Sequence, residues 1–123
     1  MAFIEGHDAI GVDTESNSMY AYRESVCLMQ ISTPEANLIF DTLRIDDLSA
    51  LDETFADPNI RKVFHGADYD VACLKRDYGF KFGGTFDTMI SGLLLADDRI
   101  GLADMVIPYQ VQCAGKSPLR RRL

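Results

Sequence analysis

Ala9-Ile10-Gly11-Val12-Asp13-Thr14-Glu15 is a short apolar run that ends in two carboxylates one residue apart. In an extended strand successive side chains point to opposite faces. Asp13 and Glu15 then share one face while Ile10, Val12 and Thr14 take the other. Like charges side by side on a strand repel. Either a divalent cation sits between them, or the run simply stops at a solvated Asp-Thr-Glu turn. Only the rest of the chain decides between the two.

Downstream, Ser16-Asn17-Ser18 is a turn signal. Val26-Cys27-Leu28-Met29-Gln30-Ile31-Ser32 and Ala36-Asn37-Leu38-Ile39-Phe40-Asp41 are two further strand-like runs, and Thr33-Pro34-Glu35 between them makes a hairpin. Three strands in succession predict an antiparallel meander. The period then changes. Asp47 can cap a helix in which Leu48, Leu51 and Phe55 recur at helical spacing, and Asp57-Pro58-Asn59 stops it. Residues 60–65 return to strand, Gly66 breaks it, and a helix over about 68–78 ends at Gly79. Residues 80–86 form a short strand or loop around Gly83-Gly84. Asp87 caps a third helix holding Met89, Ile90, Leu93 and Leu94, and 101–107 read as a last short helix before Pro108. This order predicts an α/β domain with a mixed sheet. The first strand is expected at its centre, because its apolar residues run on both faces, and ligands in such sheets gather at strand ends where the strand order reverses.

Length and composition bound what such a domain does. The chain has 123 residues, enough for one core and too few for two. No run of about 18 apolar residues occurs, and the first residues carry no basic, apolar leader pattern. The expectation is no membrane partner and a cytoplasmic location. Cys27, Cys73 and Cys113 are odd in number and widely spaced, which reads as reduced thiols. With only His7 and His65 besides, any metal is held by oxygen, which suits Mg²⁺ or Mn²⁺. The net charge of −7 argues against coating nucleic acid by generic electrostatics. Residues 59–123 nonetheless carry 10 bases against 7 acids. Lys62, Lys75, Arg76, Lys81 and Arg120 to Arg122 are therefore either phosphate contacts or scattered solvated charge.

A third carboxylate follows from helix geometry. Ala67, Val71, Leu74 and Tyr78 form one stripe. Asp70 lies about 60° from its middle and Asp68 about 100° on the other side. Asp70 thus flanks the core, where it either reaches the Asp13 and Glu15 strand end or simply complements the helix macrodipole.

Val12-Asp13-Thr14-Glu15, the run Val63-Phe64-His65-Gly66-Ala67-Asp68-Tyr69-Asp70-Val71-Ala72-Cys73-Leu74, and Thr85-Phe86-Asp87-Thr88 together resemble the 3′–5′ exonuclease domain of the RNase D family, within the DEDD group. The resemblance covers roughly residues 8–107. It implies a ribonuclease H-like fold: a mixed β-sheet, with a three-strand antiparallel meander plus parallel strands, flanked by α-helices. It matches Asp13, Glu15 and Asp70 to the first three of four acidic metal ligands, and selects Asp70 over Asp68. The implied reaction is hydrolysis of the terminal phosphodiester at single-stranded RNA or DNA 3′ ends, releasing nucleoside 5′-monophosphates, with a pair of Mg²⁺ or Mn²⁺ ions. On that reading Thr14 offers its backbone N–H to the terminal nucleotide. His65 either contacts substrate or is a structural histidine, Asp87 is a helix cap, and Tyr20 and Tyr22 either stack on bases or pack.

The family completes its site with a later Tyr-x-x-x-Asp, and this chain has none. The nearest formal match, Tyr109 to Cys113, ends in a thiol that is a poor ligand for Mg²⁺. Residues 1–107 therefore read as a 3′–5′ exonuclease-like domain incomplete at its C-terminus, and 108–123 as an irregular basic tail. Two expectations follow: weakened activity, and association into a homodimer through apolar surface that the missing helix leaves open. The competing function is a catalytically impaired nucleic-acid-binding or protein-interaction module on the same fold.

Overall fold

Alternating apolar positions build the sheet on which everything else packs. The computed structural model describes residues 3–20 and 22–107. Its strands are Ala9–Ser16 (β1), Val26–Ser32 (β2), Asn37–Asp41 (β3), Arg61–Phe64 (β4) and Thr85–Asp87 (β5), joined in the order β3-β2-β1-β4-β5. β1, β2 and β3 form the expected antiparallel meander, and β1, β4 and β5 run parallel. β1 is central, as expected, yet its two faces differ. Ile10, Val12 and Thr14 are buried, while Ala9, Asp13 and Glu15 are exposed. The small residues Ala9 and Gly11 do not make that second face a core face.

The helices are Asp52–Ala56 (α1), Ala67–Tyr78 (α2), Thr88–Leu94 (α3) and Leu102–Val106 (α4). Leu48, Leu51 and Phe55 are buried as their spacing requires, but the helical segment opens with a 3-10 turn at Ser49–Leu51. Asp47 does not cap the α-helix; it closes an Asx turn, accepting from the Ser49 N–H at 2.8 Å. α2 begins at Ala67 because Gly66 adopts φ +83°, a left-handed conformation that costs little only for glycine. It ends at Gly79 (φ +71°), whose N–H donates to the Lys75 carbonyl. At Gly84 a Cβ would stand 2.8 Å from the Pro58 carbonyl, so the chain can lie this close to residues 56–60 only as glycine.

One core fills the space between the sheet and α1–α2. Phe55 stacks on Phe80 with ring centroids 4.8 Å apart, Phe82 meets Phe55 edge-on at 5.2 Å, and Ile10, Val12, Met29, Ile31, Phe64 and Leu74 join them. Each such buried side chain stabilises by about 1.5–3 kcal/mol. The α2 stripe is rotated from the expected one: Ala67, Asp70, Cys73 and Leu74 are buried, with Val71 and Tyr78 half-buried beside them. The cause is polar. Asp70 and Asp77, seven residues apart on one helix face, accept the backbone N–H groups of Thr14 and Val26, and those contacts turn the helix. Cys27 and Cys73 are free thiols, and Cys113 lies outside the described residues. On α3 and α4, Ile90, Leu93, Leu94 and Leu102 are exposed. No helix among the described residues is long and apolar enough to cross a membrane.

Candidate active site at the end of the central strands

The parallel pairing of β1 with β4 stops at Gly11 and Val63, and β1 runs on to Ser16. Past that point the β4 side of β1 has no strand to pair with, so its backbone donors need another partner. Asp70, in the first turn of α2, supplies it. Its Oδ1 accepts from the Thr14 N–H at 3.1 Å and from the Thr14 hydroxyl at 2.5 Å. The N–H expected to meet a terminal nucleotide is therefore committed to Asp70, because Thr14 lies beyond the end of β4.

Asp13 and Glu15 stand exposed on the opposite face of β1, opposite Gln30 and Leu28 of β2. Neither carboxylate takes a hydrogen bond or ion pair among the described residues. Asp70 is 7% exposed. Burial lifts its carboxyl above the usual carboxylate range, and the Asp13 charge adds to the lift, while the Thr14 donors pull the other way. Asp13 and Asp70 thus feel each other. The three carboxylates do not, however, converge into a ready-made cage: among the described residues no three His, Cys, Asp or Glu side chains stand close enough to hold a metal ion. Asp70 is instead turned onto the two donors of Thr14. The set still suits a hard divalent cation, since every donor is a carboxylate oxygen and the mutual repulsion is what a cation relieves.

His65 follows β4 directly. The Thr88 hydroxyl donates to the Phe64 carbonyl at 3.0 Å, so its oxygen accepts from His65 Nδ1–H at 2.8 Å. That fixes the tautomer of the neutral ring and leaves Nε2 as the open acceptor. Asp13, Gln30, His65, Thr88 and Leu102 line one cavity of about 350 Å³. Asp87 is more than a cap on its own helix. Its carboxylate accepts from Met89 and Ile90 N–H in α3 and from Gly66 (3.0 Å) and Ala67 (2.7 Å) N–H at the start of α2. One side chain therefore ties the start of α2, the helix carrying Asp70, to the start of α3, the helix carrying Thr88.

A family profile described as 3′–5′ exonuclease matches residues 1–114. The chain belongs to the 3′–5′ exonuclease family. The exonuclease RRP6 of the exosome complex from Saccharomyces cerevisiae is 43% identical over 95 residues, which are 76% of this chain and 13% of that protein. The catalytic core of RRP6 from Trypanosoma brucei superposes with a TM-score of 0.82 at 32% identity, covering 99% of this chain and 36% of that one. Escherichia coli RNase D, described as an exoribonuclease involved in structured RNA processing, superposes at 0.76 and 27% identity, over 88% of this chain and 29% of that one. The exonuclease domain thus has the ribonuclease H-like fold of RNase D and RRP6, and it spans well under half the length of these relatives.

Two carboxylates of this arrangement, Asp87 and Asp70, have opposite effects on stability. Burial raises the Asp87 pKa, but the four backbone donors outweigh it and hold the carboxyl below its ordinary value. A lowered folded pKa stabilises fully above the unfolded value and loses that stabilisation as pH falls through the folded one. Asp87→Ala is expected to cost about 2–4 kcal/mol near pH 7 and to flatten the acid limb of stability, read by urea denaturation against pH. An unchanged acid limb would refute the assignment. Asp70 has the opposite sign: with its folded pKa raised, stability falls as pH climbs from the ordinary carboxylate value through the Asp70 value. Asp70→Asn keeps an oxygen for Thr14 and removes the repelled charge. The metal-free variant should melt a few degrees higher at pH 7, on the order of 2–5 °C. A lower melting point would count against the repulsion.

Several basic residues that the sequence left open between phosphate contacts and solvated charge have other work. Lys62 is fully buried and bound to the Thr54 and Asp57 carbonyls. Arg76 clamps Asp77 and Glu24, and Lys75 lies over the Phe82 ring. Lys81 is exposed, and Arg120 to Arg122 fall outside the described residues, as does the 108–123 tail. Tyr20 and Tyr22 are almost wholly exposed, so neither packs in the core.

Proposed function

We propose that the chain removes nucleotides from the 3′ end of single-stranded RNA, hydrolysing the terminal phosphodiester to release nucleoside 5′-monophosphates, with Asp13, Glu15 and Asp70 holding Mg²⁺ or Mn²⁺. The observation that carries this is the convergence of the open end of β1 with the first turn of α2, where Asp70 accepts from both Thr14 donors and its carboxyl, lifted mainly by burial, also feels the Asp13 charge. When bound, such ions supply an activated water and neutralise the charge on the leaving 3′ oxygen. The chain itself supplies the anionic oxygens of Asp13 and Glu15, neither committed to a protein donor among the described residues. Thr14 holds Asp70 in place through two donors. Thr88 orients His65 so that Nε2 can accept from a ribose hydroxyl or a base N–H in the neighbouring cavity. The choice of RNA rests on the relatives, whose names describe an exosome exonuclease and an exoribonuclease. Pairing of two chains through the apolar side chains exposed on α3 and α4 belongs to the same reading.

A 5′-labelled single-stranded RNA incubated with the chain and Mn²⁺ should shorten one nucleotide at a time, and a 3′-phosphate on the same RNA should block it. Endonucleolytic fragments, or no shortening at any Mg²⁺ or Mn²⁺ concentration, would refute the reading. RNA binding without shortening would favour the impaired binding module instead.

A further inference from the structure

The strand end that carries Asp13 and Glu15 is irregular: the β1–β2 register shifts between Glu15 and Ser16. A bulge re-aims the side chains beside it and loosens the ladder, so something else must hold them. The Ser16 hydroxyl stands 3.0 Å from Glu24 Oε1 and 2.6 Å from the Tyr69 hydroxyl. A carboxylate accepts only, so the single Ser16 proton goes to Glu24 and the phenol must donate to Ser16. Glu24 Oε2 in turn accepts from Arg76 at 3.1 Å. Arg76 grips both oxygens of Asp77, and Asp77 Oδ2 accepts from the Val26 N–H at 2.8 Å. The network links α2, through the bulge and the β1–β2 loop, back to α2 and the start of β2: Tyr69 and Ser16 donate toward Glu24 from one side, and Arg76 donates to both Glu24 and Asp77 from the other.

Ser16 follows Glu15 in the chain, and Tyr69 precedes Asp70. The Tyr69–Ser16 hydrogen bond therefore joins the covalent neighbours of two site carboxylates, and the Thr14–Asp70 pair joins the strand to the helix on the other side of Glu15. The two contacts bracket Glu15. We propose that Tyr69 and Ser16 are positioning residues that set the distance between Glu15 and Asp70, with Glu24 and Arg76 fixing the direction of the hydroxyls. This rests on the exonuclease reading for its catalytic consequence, but the staple itself exists without it. Its hydrogen bonds lie at the surface, so deleting one should scarcely change folding. A displacement of about 1 Å at a catalytic carboxylate nonetheless costs up to about 10²-fold in rate.

The test compares Tyr69→Phe, which loses only the donor, with Ser16→Ala and Ser16→Thr, which keeps the hydroxyl. Amide hydrogen exchange at Thr14 in the metal-free chain should rise about tenfold in Tyr69→Phe and Ser16→Ala and stay near wild type in Ser16→Thr. With RNA and Mn²⁺, kcat should fall about tenfold with KM within twofold, and half-saturating Mn²⁺ should rise about tenfold, with Ser16→Thr restoring each. Unchanged Thr14 exchange in Tyr69→Phe overturns the staple. Raised exchange with kcat and Mn²⁺ dependence unmoved in an active chain overturns the positioning role. Raised exchange in a chain that neither binds Mn²⁺ nor shortens RNA leaves the staple standing and sinks the exonuclease reading.

Discussion

Asp13→Ala should lower the rate of RNA shortening by on the order of 10²–10⁴ and leave the melting temperature unchanged or slightly higher. The two halves of that result come from the same geometry. Asp13 is exposed at the open end of the central strand, and its carboxylate has no hydrogen bond or ion pair among the described residues. Deleting it removes no stabilising contact. What it does have is repulsion: its charge adds to the burial that lifts the buried Asp70 carboxyl. A residue that costs stability and makes no bond among the described residues is in surplus for folding, which is the pattern expected of a group kept for binding something positive. The variant therefore separates catalysis from stability. Shortening rates and thermal melts on the same preparation decide the matter. A fall of less than tenfold would remove Asp13 from the site, and a drop in melting temperature would show that it holds the fold together instead.

Lys62→Ala is expected to destabilise the domain by about 4–5 kcal/mol, enough to leave it marginally folded. Lys62 lies on β4, 0% exposed, on the same face as Phe64. Its Nζ donates to the Thr54 carbonyl at 3.2 Å and to the Asp57 carbonyl at 2.6 Å, at the C-terminal end of α1 where orphan carbonyls and the negative end of the macrodipole coincide. Burial depresses the ammonium pKa, and Asp57 partly restores it. With the folded pKa below the unfolded one, stability should rise as pH climbs from the folded value to the ordinary lysine range. The alanine variant leaves two carbonyls without a donor and a cavity where the butyl chain lay. Lys62→Met fills the cavity, keeps the carbonyls orphaned, and should cost about half as much. A melting temperature within 2 °C of wild type for the alanine variant would show that the pairing contributes nothing, since this much lost stability should lower it by 10 °C or more.

Lys62 also shows what a sequence conceals and what it does not. Read by charge, it was a candidate phosphate contact. In the structure it shares the inward face of β4 with Phe64, and strand alternation, not charge, decides where it lies. Asp70 was legible, since its angle on the helix put it beside the core. Burial at 7% goes further than the angle alone allowed, because the helix is turned by Asp70 and Asp77 reaching for strand N–H groups that have no ladder partner. The double role of Asp87 was half legible. Its place before Thr88 marks a cap, but its bonds to Gly66 and Ala67 join residues some twenty positions away, and nothing local encodes them.

By itself, then, the sequence determined the element order, the central place of Ala9–Ser16, the shared face of Asp13 and Glu15, the place of Asp70 beside the core, and the family to which the chain belongs. These follow from short-range facts: side-chain period, turn residues and the spacing of motifs along the chain. Only the tertiary structure decided where those carboxylates point. Among the described residues Asp13 and Glu15 are left without partners and Asp70 is bound to Thr14, because β1 outruns β4 and leaves a backbone donor that α2 must satisfy. The bracket around Glu15 has the same origin, since Ser16 and Tyr69 meet only when a strand end and a helix start, 53 residues apart in the chain, are brought together.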